Sequence, residues 1–300
     1  MPLPLSGLLV VSLEQAVAAP QCTCRMADAG ARVIKVERPE GDFARGYDHV
    51  VHGESGPYAS RKAYDLLVQA ESGLASVTGG PDAPARVGFS VADIGAGMNA
   101  YQAILEALIA RERTGQGAAI SVSLFDAMAE WMTVQLLSHE GGKPFHRIGL
   151  AHATIAPYGV FKSRDQADIL ISIQNDREWR VLAEKVLGDT SLGSNPKFAT
   201  NPKRVEHRGE TDAIVARAFA QHDVDALMPI LEKADIAFGR VSDCELLSHH
   251  PHLRRITADA PSGPVHMPAP APIFARETRR YGAVPALGEH SEKIRAEFKT

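Results

Sequence analysis

An α/β fold with a second, smaller α+β domain is what this sequence predicts, on three observations. The first forty residues alternate an apolar strand, a helix and another apolar strand. Two more helical stretches with a short strand between them follow before residue 140. Beyond Gly141-Gly142-Lys143-Pro144 the texture changes to short strands followed by helices. The expected division is a large domain over 1–140, a small one over 141–260, and a last segment over 261–300.

In order, Leu8 to Leu13 reads as a strand, Cys22 to Ala29 as a helix stopped by Gly30, and Arg32 to Glu37 as a second strand, which makes a βαβ unit. The first turn carries Glu14-Gln15-Ala16 where a dinucleotide-binding unit would need a glycine fingerprint, so a nicotinamide or flavin cofactor is unsupported. Leu66 to Ala70 is an expected helix opened by Tyr64-Asp65. Gly97 to Arg113 places Met98, Tyr101, Ile104, Leu105 and Leu108 at helical spacing and ends at Thr114-Gly115-Gln116-Gly117. A strand over Ala119 to Ser123 and a helix over Phe125 to Leu137 complete the large domain. In the second domain, strands are expected at Tyr158 to Phe161 and Ile169 to Ile173, and helices near Glu178 to Leu187 and Thr211 to Ala220. Five prolines (Pro261, Pro264, Pro268, Pro270, Pro272) make the next stretch extended, and a short helix follows His290.

Composition narrows the function. With 45% hydrophobic and 23% charged residues, the chain is an ordinary globular one. A net charge of -4 supplies no basic field for a phosphate backbone, so nucleic acid is not an expected partner. The apolar runs are too short to cross a bilayer, so no membrane is expected. Ala16-Val17-Ala18 imitates a secretion cleavage site, but no Lys or Arg precedes Arg25 and Glu14 interrupts the apolar part. Three cysteines fit a reducing compartment such as the cytoplasm. Cys22 and Cys24 read as small buried residues, since they lack the partners of a tetrahedral metal site. No metal is expected at His249, His250 and His252 either; a surface loop explains them.

Asp93 is the residue most suited to chemistry. Ser90-Val91-Ala92-Asp93-Ile94-Gly95-Ala96-Gly97 puts a carboxylate in a turn ahead of a long helix, where an N-cap is the plain reading. The same place favours an ionised, accessible carboxylate with glycines that let a substrate approach, and such a group is a competent nucleophile. Arg38, Arg61 and Lys62 are singly surface charges and together a set that could contact the phosphates of a large anion. Gln174-Asn175-Asp176-Arg177-Glu178-Trp179 follows a strand and suits either ligand contacts or a helix cap.

These motifs, in this order, resemble the class III CoA-transferases, the family that also contains alpha-methylacyl-CoA racemases. The resemblance rests on Val10-Val11-Ser12-Leu13-Glu14-Gln15-Ala16, Gly30 to Pro39, Gly56-Pro57-Tyr58, Lys62-Ala63-Tyr64-Asp65, the Asp93 turn, and Arg113-Thr114-Gly115-Gln116-Gly117. Wording at 61–73 and 173–179 is closest to the branch handling mesaconate, itaconate, citramalate or succinate. The resemblance implies a Rossmann-like large domain that binds CoA, a small domain, and two chains interlocked as a homodimer. It implies transfer of CoA from an acyl-CoA such as succinyl-CoA to a small carboxylic acid, with the CoA thioester as substrate and no cofactor held permanently. Asp93 corresponds to the nucleophile that carries an aspartyl-CoA thioester. Gln15 and Ala16 correspond to residues beside the pantetheine, and Arg38 and Lys62 to residues holding the CoA nucleotide. A racemase or epimerase is the alternative, weakened because Tyr64 stands where that branch has His; a non-catalytic remnant is the other.

One departure is evident. The family carries two further β/α units between the Arg38 strand and Gly56-Pro57-Tyr58, and here Asp42 to Ser55 is a short bridge. That is a natural or engineered deletion, or two segments joined across an omitted region. The absent stretch normally supplies further basic contacts to CoA and part of the sheet.

Overall fold

Leu9, Val10 and Val11 favour an extended backbone, and β1 (Leu9–Ser12) runs parallel to β2 (Arg32–Lys35) in the register Leu9 to Arg32 and Ser12 to Lys35. The helix between them, α1 (Ala18–Asp28), buries Cys22 and Met26, four residues apart on one face. Gly30, at φ +100°, makes the left-handed turn into β2. This is the βαβ unit expected from the sequence. The computed structural model describes residues 3–39, 42, 50–51, 62–275, 279 and 281–299. The Gly56-Pro57-Tyr58 motif and Arg61 lie outside the described residues.

Two units make up the chain. The first takes Met1–Thr78, Ala85–Phe145 and His252–Thr300; the second takes Gly79–Pro84 and His146–Pro251. In the first unit β3 (Val50–Val51) pairs antiparallel with β4 (Lys62–Ala63), and α2 (Asp65–Glu71) and α3 (Leu74–Val77) follow. The 24-residue α4 (Val91–Thr114) is next, closed by Gly115 in the left-handed region at φ +71°, which matches the expected stop. The start of α4 differs from the sequence reading. It begins six residues before the expected Gly97, because its two glycines serve packing and do not break it. A Cβ on Gly95 would stand 2.8 Å from Met128 Cε, and one on Gly97 would run into the carbonyl oxygen of Ala18.

The strand expected at Ala119 to Ser123 is not one. No described strand lies alongside to pair with it, and most of the stretch is exposed; Ser123 caps the following helix by accepting from the Asp126 amide at 3.0 Å. The helix expected over Phe125 to Leu137 is two, α5 (Leu124–Trp131) and α6 (Thr133–Glu140). Their break coincides with Thr133, whose hydroxyl turns back onto the Glu130 carbonyl. Two small cores hold the unit together. Cys22, Met26 and Ala31 pack with Val10, Ala100, Tyr101 and Ile104; Ala63, Val68, Ala92, Ala96, Leu124, Ala127 and Met128 form the other, with Ala18 against it. Cys24, expected to be buried, is exposed because it sits off the Cys22–Met26 face.

The second unit is an antiparallel sheet, β5 (Tyr158–Lys162), β6 (Asp168–Ser172) and β7 (Ala237–Arg240), in that order. Around it lie α7 (Asp176–Lys185), a 3-10 turn at Thr190–Gly193, α8 (Asn201–Glu206), α9 (Arg208–Phe219), α10 (Val224–Lys233) and α11 (Cys244–Ser248). Alternate Ile169, Ile171 and Ile173 point into its core with Trp179, Leu182, Phe219, Leu227 and Leu231, all fully buried and each stabilising by about 1.5–3 kcal/mol. Fully buried Arg204 donates to Ala156 O at 2.7 Å, Phe198 O at 2.8 Å and Asp176 Oδ1 at 2.9 Å. Back in the first unit, the proline-rich stretch contributes a hairpin, β8 (Arg255–Ala258) with β9 (Val265–Pro268), and α12 (Ser291–Glu297) ends the chain, with Glu297 bonded to Arg32.

Candidate active site

Parallel strands expose their C-terminal ends as a natural place for ligands, since the loops that leave them open a crevice. After β1 the chain runs through Leu13, Glu14, Gln15 and Ala16 into α1. Glu14 turns inward and its carboxylate accepts from Thr23 Oγ1 at 2.8 and 2.7 Å, which fixes the loop to the first turns of α1. Ala16 takes φ +61°, a left-handed conformation that costs a residue with a Cβ about 1 kcal/mol or more. Its N–H donates to Asp42 Oδ1 at 3.2 Å, and Asp42 is itself held by Lys35 Nζ at 2.6 Å. A cleft of about 230 Å³ opens here, lined by Gln15 and Arg38 together with Leu13, Glu14, Val36, Glu37 and Asp42. Arg38 also borders a larger cleft of about 570 Å³ between the end of β2 and residues 284–295. Gln15 and Arg38 therefore meet at one crevice and Ala16 adjoins it. Lys62 lies in β4, and its side chain falls outside what is described.

Asp93 is carried by the first turn of α4. Ala18 lies against Gly97, while Cys22 and Met26 lie against Ala100, Tyr101 and Ile104, so α1 and α4 run in the same direction. Asp93 lies one turn before Gly97 on the same face of α4, and it lines neither of the two clefts at Arg38. It is not the N-cap that the plain reading gave. Ser90 occupies that position without a side-chain bond, and Asp93 is the third residue of the helix. The cap comes from another helix: Asp65 Oδ1 accepts from the Ala92 amide at 2.8 Å. Asp65 Oδ2 accepts from Gln69 Nε2 at 2.6 Å, and the fully buried Gln69 accepts in turn from the Val87 amide at 2.8 Å.

Asp93 is 8% exposed. Burial, and after it the negative charge of Asp65, push its pKa up from 3.8 to about 6. The sequence predicts an ionised, accessible carboxylate; the structure buries it, and that burial opposes the helix end. At pH 7 to 8 the group is still mostly ionised, and it is a poorly solvated, more basic carboxylate than an exposed one, which suits nucleophilic attack.

The remaining candidates have local roles. Asn175 caps α7 by accepting from the Arg177 and Glu178 amides, and Asp176 holds Arg204 and the Asn201 amide, so that polar stretch is a helix start. His249, His250 and His252 are exposed, and among the described residues no group of three or more His, Cys, Asp or Glu is placed to hold a metal. Asp42, Asp65 and Gln69 were missed as site residues from sequence. Asp65 carried a signal, since it starts the helix after the Lys62-Ala63-Tyr64 motif; nothing local marks Asp42 or Gln69.

The model of CoA-transferase family III matches the chain over residues 5–52 and 47–291. The chain belongs to CoA-transferase family III. An acyl-CoA transferase of Fusarium pseudograminearum is 35% identical over 259 residues, 82% of this chain and 56% of its own length. The succinate–glutarate CoA-transferase of Agrobacterium fabrum is 27% identical over 386 aligned positions, 99% of this chain and 96% of its own length. The crystal structure of a CaiB/BaiF family protein from Brucella suis superposes with a TM-score of 0.85 at 27% identity and full coverage of both chains. This family III chain thus spans little more than half of the Fusarium relative, and its alignment with the Agrobacterium protein is longer than its own 300 residues. The family match falls into two pieces that meet at residues 47–52, within the short bridge after β2.

Proposed function

We propose that this family III member moves CoA between an acyl-CoA, succinyl-CoA foremost, and a small carboxylic acid, with Asp93 as the covalent nucleophile. The observation that carries the reading is a buried carboxylate, without a hydrogen-bond partner among the described residues, in the first turn of α4, its pKa raised by burial. In the first step an Asp93 oxygen attacks the thioester carbonyl, the C–S bond breaks, and an acyl-aspartyl anhydride and CoA thiolate form. The thiolate attacks the Asp93 carbonyl, which frees the donor acid and leaves an aspartyl-CoA thioester. The acceptor carboxylate repeats the sequence in reverse, and Asp93 returns as carboxylate. No net proton is consumed, so a single ionised carboxylate suffices.

The cleft beside Gln15 and Ala16 suits the pantetheine arm, and Arg38 and Lys62 suit the phosphates of the CoA nucleotide, where a guanidinium gives two parallel hydrogen bonds. The first unit is read as the Rossmann-like, CoA-binding part. The working assembly is a homodimer, supported by apolar side chains left open on the first unit, Val11 at 64% and Val134 at 69% exposure among them. Three thiols without a disulfide suit the cytoplasm. Exchange of CoA from succinyl-CoA to glutarate, followed by chromatography of the acyl-CoA pool, tests the reading. The expected outcome is turnover by the wild type and a loss of at least about 1,000-fold in Asp93→Ala; equal turnover by both excludes Asp93 as nucleophile.

A further inference from the structure

We infer that Asp65 is a positioning residue for Asp93: its carboxylate pins the first turn of the helix that carries Asp93 and sets a second negative charge against it. The inference rests on the transferase reading above and deepens it. One oxygen of Asp65 takes the Ala92 amide, an orphan donor at the start of α4 that no side chain of its own helix satisfies. The other oxygen is occupied by Gln69, which is fully buried and bound to the Val87 amide in the segment leading into α4. Asp65 therefore ties α2, the approach to α4 and the turn that presents Asp93 into one network.

The charge matters as well as the bond. The elements packed against α4 carry Arg25, Asp28, Cys22 and Cys24 on α1, Glu71 beside Asp65 on α2, and Asp126 and Glu130 on α5, with Glu14 in the loop before α1. Of these described groups, Asp65 is the one whose charge acts on Asp93. An Asn at 65 keeps the acceptor for Ala92 and removes the charge; an Ala removes both. The two substitutions separate tuning from anchoring.

The test is a carboxyl carbon-13 NMR titration of the full chain labelled at aspartate, with Asp93 assigned by its loss in Asp93→Asn, beside the pH profile of CoA exchange. Asp65→Asn is expected to move the Asp93 midpoint, and the acidic limb of kcat/KM with it, down by about half a pH unit or more. Asp65→Ala is expected to lower kcat roughly tenfold further through the freed helix start. A midpoint and limb that stay in place in folded Asp65→Asn overturn the inference. Should that variant not fold, the wild type decides: an Asp93 midpoint near 4 overturns it, and one near 6 that falls as salt screens the pair supports it. If the wild type exchanges no CoA, the transferase reading falls while the NMR midpoint still judges Asp65.

Discussion

As the proposed nucleophile, Asp93 has two requirements that pull against each other: it must be dry enough to be a strong nucleophile and still ionised at working pH. In the unfolded chain it titrates near 3.8 and in the fold at about 6, so between those values the folded protein holds a proton that the unfolded chain has lost. Its raised pKa is therefore stability present at low pH and lost as pH rises through 6, about 3 kcal/mol in full. A neutral isostere escapes that penalty. Asp93→Asn is expected to melt several degrees higher than the wild type at pH 8, with the gain fading as pH falls from 6 toward 4, by thermal denaturation across that range. An unchanged gain at every pH would mean the carboxylate is not destabilised by burial. The presence of a carboxylate at the start of a glycine-containing helix was legible in the sequence, because that pattern is local. Its environment was not, because Asp65 lies 28 positions away and only the fold sets the two side by side.

The helix start is where element and site meet. Gly97 lets α4 approach the Ala18 carbonyl and the Gln21 side chain at the beginning of α1, one turn after Asp93. Gly97→Val should force the helices apart, lowering stability by about 1–3 kcal/mol in denaturant melts and reducing exchange more than stability alone explains. Normal exchange in a destabilised Gly97→Val would show that the spacing serves packing only. The βαβ unit, the stop at Gly115 and the strands at 158–162 and 168–172 were readable because periodicity and turn residues are local signals. The strand expected at 119–123 was not formed, because a strand exists only with a partner, and pairing is a property of the sheet. The single helix expected over 125–137 split at Met132, just before Thr133, whose hydroxyl bonds the Glu130 carbonyl.

At the scale of the whole molecule, the second unit encloses a core of fully buried aromatic and branched residues, while the first keeps large apolar side chains open on β1, α5 and α6. A second copy covering them is the expected state, so light scattering after gel filtration should return twice the chain mass of 32.2 kDa; a monomer at micromolar concentration would contradict it. The family match breaks at residues 47–52, within the bridge that the sequence marks as shortened. Whether the remaining frame still performs the chemistry is decided at Asp93. The most direct measurement is the intact mass of the protein after mixing with succinyl-CoA, beside Asp93→Ala. The account predicts a covalent adduct on the wild type that hydroxylamine removes and the variant never forms. A folded wild type that gains no mass, or an adduct retained in Asp93→Ala, would contradict it.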